Sequence, residues 1–313
     1  MKVFIKSKSK KIDVKFLKKD FLKNRQIYIM RSLGVVYFLI FHYLPMFGIV
    51  MAFQDFNPAK GFLRSEWVGL DHIIDFVTSP YFPRLLRNTL LINVYQLIFV
   101  FPVPILFALF LNEIKSAKFK KVVQTATYLP HFISMVVFCG LIVDFTSQNG
   151  IVSKIIQFLG SEKQNLLMEP KYFRTIYTST AIWKEMGWNS IIYIAALAGI
   201  APELYEAATI DGAGRFKKMW HVTLPGIIPT IVIMLILRVG SMMSVGFEKI
   251  ILLYNEVTRE TADVISSFVY RRGLLDGDYS YSAAIGLFNA VINFTLLIIS
   301  NKISKKLSET SLW

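Results

Sequence analysis

Six stretches of mostly apolar residues divide this sequence, each close to the ~20 residues that a helix needs to cross a bilayer. They lie at roughly 32–53, 89–111, 128–146, 179–200, 226–246 and 281–300. Inside lipid every backbone N–H and C=O must be satisfied within the protein, so segments of this length fold as helices. The spacing predicts an all-α membrane protein with six transmembrane helices. Composition agrees: 54% of residues are hydrophobic and only 18% charged, too few to cover the surface of a soluble domain of 313 residues.

The charges are distributed unevenly. The chain carries a net +14, which in a soluble protein would raise the question of nucleic acid. Here the basic residues crowd beside the apolar runs, so they read as topology signals and no nucleic-acid partner is expected. Residues 1–31 hold eleven Lys and Arg against two Asp, the loop 112–122 holds four Lys, and the tail beyond 300 holds Lys302, Lys305 and Lys306. The alternate segments 54–88, 147–172 and 248–281 are longer and less basic. The positive-inside rule therefore places both termini in the cytoplasm. The expected organisation is a basic cytoplasmic arm (1–31), a six-helix membrane domain (32–300) and a short cytoplasmic tail (301–313). The first residues lack the prompt apolar core and small-residue cleavage site of a signal peptide and read as a retained arm.

The outer segments contain turn chemistry (SQNG, GSEKQN) and two candidate short helices, DHIIDFV and TADVISSFVYRRGL. The single cysteine, Cys139, has no internal disulfide partner.

One polar element stands out between the fourth and fifth runs: ELYEAATIDGAGRFKKMWHVTLP, Glu203 to Pro225. Pro202 suits the first turn of a helix, where its missing N–H costs nothing. Good helix formers follow, then GAG at 212–214, where Gly212 can supply φ > 0 and Gly214 a tight reversal. A second helix is expected from Arg215, with Phe216, Met219 and Trp220 on one face and Lys217, Lys218 and His221 towards the other. Asp211 is a candidate cap for that helix or a partner contact, and Pro225 is expected to end the element. On charge and spacing alone, this is either a solvated loop with a membrane-surface helix or a stiff docking protrusion.

The residues EAATIDGAGRFKKMWHVTLP resemble the signature of binding-protein-dependent ABC transporter permeases. Glu206-Ala207-Ala208 is followed after three residues by Gly212, and after nine more by Val222-x-Leu224-Pro225, with Val222 in place of the usual Ile. The longer form EAAxxDGA of carbohydrate permeases also fits. YLPMFGIVMAFQDFNP, NTLLIN, YLPHFIS, WNSIIYIAALAGI and GFEKIILLYN extend the resemblance over nearly the whole chain, towards the oligosaccharide and polysaccharide subgroup related to the maltose permeases. The resemblance implies the type I importer permease fold. It implies a coupling element at 203–224 that docks on an ATPase, with Glu206, Ala207, Ala208, Asp211, Gly212, Phe216, Trp220, Leu224 and Pro225 as its residues. It also implies a second homologous permease, two cytoplasmic ATPase subunits that bind ATP and Mg, an extracellular substrate-binding lipoprotein, and an oligosaccharide or modified sugar as cargo, all in a bacterial cell membrane. A non-sugar solute, or a permease-like scaffold or sensor, are the alternatives.

Several polar groups fall within the apolar runs. Arg238 is the costliest, because a charge at that depth faces a partner or a water-filled cavity. It is a candidate for a sugar hydroxyl or carboxylate, and equally for holding helices together. Asn93, Gln96, Asn189 and Asn289 are candidate hydroxyl partners, and Tyr193 and Phe247 candidate aromatic faces; an interhelical hydrogen bond is the simpler reading of each asparagine. Ala195-x-x-x-Gly199 allows close helix approach. The four histidines form no metal-ligand spacing, no phosphate loop GxxxxGK[ST] occurs, and no cofactor bound by this chain or enzymatic activity is expected.

Overall fold

A computed structural model describes residues 23–313 apart from 161, 163 and 309. Most of the expected basic arm therefore lies outside the described residues. From Arg25 the chain is already helical. Two units are distinguished, Met1–Val50 and Met51–Trp313.

The first unit holds the leading part of α1 (Arg25–Phe53), an apolar helix long enough to cross a bilayer. In the second unit a two-residue antiparallel ribbon, Gln54–Asp55 with Glu66–Trp67, precedes the short helix α2 (Asp71–Thr78). Then follow α3 (Phe82–Glu113), α4 (Ala117–Tyr128), α5 (Met135–Phe158, interrupted by a turn at 147–150), α6 (Pro170–Leu197), α7 (Pro202–Ile210), α8 (Arg215–Gly240), α9 (Phe247–Leu253), α10 (Ile265–Tyr270) and α11 (Tyr279–Ser308). DHIIDFV folds as the expected short outer helix α2, whereas TADVISSFVYRRGL is α-helical only over Ile265–Tyr270 (α10) and continues as a π turn at Arg271–Leu275.

Among the described residues five helices, α1, α3, α5, α8 and α11, are long and apolar enough to span a membrane, and α6 with α7 makes a sixth candidate bent by 75°. In the second unit the apolar windows of α3, α5, α8 and α11 are only 17–33% buried against protein. So much exposed apolar surface is untenable in water and is what lipid contact requires.

The helices run beyond the apolar windows, and three expected boundaries are corrected. The third run does not begin at 128: α4 ends at Tyr128, a 3₁₀ turn spans Leu129–Phe132, and α5 restarts at Met135 with Ser134 Oγ accepting from Val137 N at 3.3 Å. The fifth run does not extend to 246, because α8 ends at Gly240. Pro225 does not end the polar element, because α8 passes through it.

That continuity has a physical cause. Three of the four π turns among the described residues finish two residues before a proline: Leu39–Tyr43 before Pro45, Gln96–Val100 before Pro102, and Met219–Thr223 before Pro225; the fourth, Arg271–Leu275, has no proline after it. A proline ring collides with the carbonyl one turn back and offers no N–H. Opening the ladder by one residue ahead of the ring lets the helix continue.

Three apolar clusters hold the second unit together. One joins Ile105, Ala108 and Leu109 of α3 to Tyr193 and Leu197 of α6 and Ile227 of α8. A second joins Ile92, Phe138, Ile142, Phe173, Tyr177 and Ile250, from α3, α5, α6 and α9. The third gathers Phe76, Leu85, Met243, Phe268 and Ile285 around α2, α10 and α11.

The closest helix approach differs from the expected one. Ala195 and Gly199 are exposed, and Gly199 lies in the turn after α6. The tight contact is at Gly187, where a Cβ would sit 2.3 Å from the Thr127 carbonyl oxygen of α4. One turn earlier, Lys184 Nζ donates to the carbonyls of Pro130 (3.2 Å), His131 (3.3 Å) and Ile133 (2.6 Å), and Trp188 stacks on His131 at 4.3 Å. A buried ammonium thus pins the α4–α5 corner to α6, which explains a lysine inside an apolar run.

Candidate coupling hairpin and intramembrane cleft

The polar element folds as a braced hairpin. Pro202 opens α7 with Glu203 in the first turn, where an acid complements the helix dipole. The helix closes in a Schellman motif: Ala213 N donates to Ala208 O at 2.9 Å and Gly212 N to Thr209 O at 3.0 Å. Gly212 has φ +72°, the left-handed position that this motif requires. Asp211 forms the C-cap of α7, and Gly214 precedes α8 in extended conformation, so the expectation that Asp211 caps the second helix is corrected.

Side chains then tie the two arms. Lys218 Nζ donates to Thr209 Oγ1 at 2.7 Å, Thr209 Oγ1 donates to Tyr205 O at 2.6 Å, and Tyr205 OH donates to Thr223 Oγ1 at 3.2 Å. Sequence periodicity had put Lys218 with the solvated residues and Met219 with Phe216 and Trp220. Met219 packs towards the α3–α6–α8 cluster together with Leu224 and also shares a cavity wall with Phe216, while Phe216 (79%) and Trp220 (65%) are exposed. Glu206 and Ala207 are exposed, Ala208 is half-buried, and Pro225 is exposed. A cavity of about 180 Å³, lined by Phe110, Glu113, Arg215, Phe216 and Met219, adjoins the apolar knob.

The intramembrane candidates fall into two groups. Arg238 Nη2 donates to Gln96 Oε1 and, at 3.5 Å, to Asn93 Oδ1, which joins α8 to α3. Asn93 Nδ2 donates in turn to Thr89 O at 3.0 Å. Arg238 lies in the last turn of α8, where the carbonyl end of the helix dipole lowers the cost of a cation. It borders a cavity of about 230 Å³ between α3, α6 and α8, which Asn189, Tyr193, Ser241 and Phe101 also line. Asn189 donates to Glu185 at 3.4 Å, and Tyr193 is almost fully buried. Five of the seven residues thus converge. Phe247 and Asn289 do not join them: both line a separate cavity of about 520 Å³ with Tyr270, Tyr279 and Ser282. Phe247 stacks on Tyr270 at 5.8 Å, and Asn289 Nδ2 donates to Met243 O at 3.1 Å, an interelement tie of the kind expected of a membrane asparagine.

A third constellation escaped sequence reading. Asp263, fully buried, accepts from Arg271 Nη2 at 2.7 Å, Arg84 Nη2 at 3.4 Å and Ser267 Oγ at 2.8 Å. Its backbone carbonyl accepts from Asn88, which accepts from Arg174 at 2.9 Å. Burial by itself lowers the pKa of the Arg271 guanidinium, but its hydrogen bond to Asp263 and that residue's charge prevail, and the net shift is upward. The partners are 179 and 8 residues away, so no local spacing announces the site.

Comparison with known proteins places this geometry. Residues 81–309 match the family described as binding-protein-dependent transport system inner membrane component. The polygalacturonan/rhamnogalacturonan transport system permease protein YteP of Bacillus subtilis (strain 168) is 45% identical, over 99% of this chain and 96% of its own length. Protein LplB of the same strain is 44% identical, over 93% and 92%. A crystal structure of a bacterial ABC transporter involved in the import of the acidic polysaccharide alginate contains a chain that superposes with a TM-score of 0.85 at 43% identity, covering 93% of this chain and 99% of the other. The chain therefore belongs to the family of binding-protein-dependent transport system inner membrane components, and is a multi-pass, non-catalytic permease subunit with the fold of an ABC importer permease.

Proposed function

We propose that this permease imports an oligosaccharide or modified sugar as one half of a permease pair. Two cytoplasmic ATPase subunits, which bind ATP and Mg²⁺, dock on residues 203–224, and an extracellular binding lipoprotein delivers the solute. Both termini and the hairpin face the cytoplasm, and the membrane domain spans 32–300. The names of the relatives support the cargo class, since they include permeases for polygalacturonan/rhamnogalacturonan and for arabinooligosaccharides.

The observation that carries the coupling role is the shape of the hairpin. Its arms are cross-braced, its turn is fixed by a Schellman motif, and its second arm is continuous with a membrane-spanning helix. A stiff lever of this kind passes a push into the membrane, whereas a flexible loop absorbs it. The exposed Phe216 and Trp220 suit the aromatic anchors of a docking site, with Glu206 available for a basic group of the ATPase. Closure of the ATPase pair on ATP would move the hairpin and rock the two permeases about the intramembrane cleft. Each nucleotide state must contact the hairpin differently for that shift to occur.

Glu206→Arg tests this reading. The ATPase subunits are expected to co-purify with the wild-type permease, and the variant to lose most of them or to lose solute-stimulated ATP hydrolysis. Unchanged co-purification and stimulation would remove the coupling role from this element. Failure of the wild type to bring down a second permease and an ATPase would favour a scaffold over an importer.

A further inference from the structure

Two cavities share a wall at the root of the hairpin. The larger, about 360 Å³, is lined by Asn112 and Glu113 at the end of α3, Leu197 at the end of α6, Tyr205 of α7, and Arg215 and Lys218 of α8. The smaller is the cavity of about 180 Å³ beside the knob, where Phe110, Phe216 and Met219 supply apolar walls. Glu113 and Arg215 line both. A pocket of charged and hydrogen-bonding groups thus opens beside a mainly apolar one.

The charges of the shared wall are unmatched. Arg215 is exposed, is in none of the ion pairs among the described residues, and its side chain has no hydrogen-bond partner there. Glu113 is likewise in no ion pair, so the two line the same cavities without meeting. Lys218 uses one donor on Thr209 and keeps two ammonium protons. Just past Glu113, the stretch Lys115–Lys121 holds four lysines and no acid, and none of the four is in an ion pair among the described residues.

The depth is that of lipid headgroups. Phe110 falls within the second apolar run, and Asn112 and Glu113 come directly after it. Phe110 is 59% exposed, so the lipid-facing surface of α3 continues up to the apolar cavity. We propose that the double cavity seats an anionic phospholipid of the cytoplasmic leaflet. Its phosphate meets Arg215 and Lys218, for which a guanidinium and an ammonium are suited donors. The start of an acyl chain covers Phe110 and Met219. Glu113 and Asn112 accept from headgroup hydroxyls, which favours phosphatidylglycerol; a headgroup with its own carboxylate would be repelled by Glu113. The lipid then joins the end of α3 to both arms of the hairpin and braces it. This rests on the reading that puts the hairpin at the cytoplasmic face.

The test uses the full-length permease in its purified complex, in nanodiscs of mixed phosphatidylglycerol and phosphatidylcholine or of phosphatidylcholine alone. Native mass spectrometry reads the lipid retained on the permease, and solute-stimulated ATP hydrolysis reads the bracing. The wild type is expected to retain phosphatidylglycerol preferentially and to be stimulated less in phosphatidylcholine alone. A basic residue near an anionic membrane surface is worth about 1 kcal/mol, so Arg215→Gln is expected to lower the preference about fivefold. Arg215→Lys is expected to keep most of it, and carries the test together with the wild type if the glutamine variant fails to assemble. Lys217→Gln removes the same charge two residues away, from a side chain outside both walls, and is expected to stay close to wild type. Equal losses for Arg215→Gln and Lys217→Gln would overturn the seat in favour of diffuse surface charge. No preference in the wild type would overturn it outright. Loss of the ATPases from Arg215→Gln with phosphatidylglycerol still retained would assign Arg215 to the ATPase interface instead. Restored stimulation in phosphatidylcholine discs by soluble glycerol 3-phosphate would show a site for a free anion and overturn the lipid. Lipid retention is read on the permease itself, so it decides the seat even if no ATPase co-purifies, an outcome that would count against the importer reading alone.

Discussion

Gly212→Ala isolates the conformational part of the coupling hairpin. A Cβ at this position meets nothing within 4 Å, so the substitution introduces no clash. The cost comes from the backbone. At φ +72° an L-residue is in the left-handed region, which costs roughly 1–2 kcal/mol. The hairpin can pay that cost or relax the turn, and relaxing it gives up the Ala213–Ala208 and Gly212–Thr209 bonds. If the intact turn is the docking-competent form, the competent fraction falls by about 5- to 30-fold, and the apparent affinity for the ATPase subunits falls in proportion. The assay is a titration of purified ATPase onto permease in nanodiscs, read by solute-stimulated ATP hydrolysis. Gly214→Ala is the control: Gly214 also meets nothing within 4 Å, but its φ of −70° suits any residue. The alanine at 212 is expected to shift the titration midpoint by the stated factor and the alanine at 214 to leave it in place. Equal midpoints for the two variants would refute the claim that the left-handed turn sets the docking geometry.

Two further outcomes concern the membrane body. Gly187→Ala would push a methyl group to within 2.3 Å of the Thr127 carbonyl, separating α4 from α6; a destabilisation of about 1–3 kcal/mol is expected, seen as a lowered thermal unfolding midpoint in detergent, and an unchanged midpoint would contradict the close contact. Asp263→Asn would leave Arg84 and Arg271 without their carboxylate, and a loss of the order of 3 kcal/mol is expected. Adding Arg271→Gln should return part of it, and the same midpoint measurement checks both variants.

How much of this was readable beforehand depended on the range of each interaction. Pro202 and Gly212 act on their own backbone, so the hairpin and its left-handed turn were legible. Each long apolar run marked a helix, since lipid imposes that requirement locally. The ends of those helices were hidden because α8 begins about eleven residues before the apolar window at 226, in the charged stretch that opens at Arg215, and hydropathy does not see a helix whose first turns leave the membrane. The packing of Met219 against the α3–α6–α8 cluster was not legible, because the residues it meets come from helices distant in sequence. Arg238 was recognisable as a costly residue, but its partners, Gln96 and Asn93, lie 142 and 145 residues away. Asp263 gave no warning, since an acid beside a short outer helix is unremarkable until the fold brings Arg84 to it.

The π turn at Met219–Thr223 also works as a one-residue offset in a rotating column. Each residue advances an α-helix by about 100°, so one extra residue in a single turn resets the azimuth of everything before it relative to everything after it. Phe216 and Arg238 are on the same continuous helix, on opposite sides of that offset. The compass bearing of the exposed knob, seen from the intramembrane charge, is therefore set by Pro225 and the widened turn it imposes. A sequence lacking that proline would keep the same residues in the same order and aim them elsewhere.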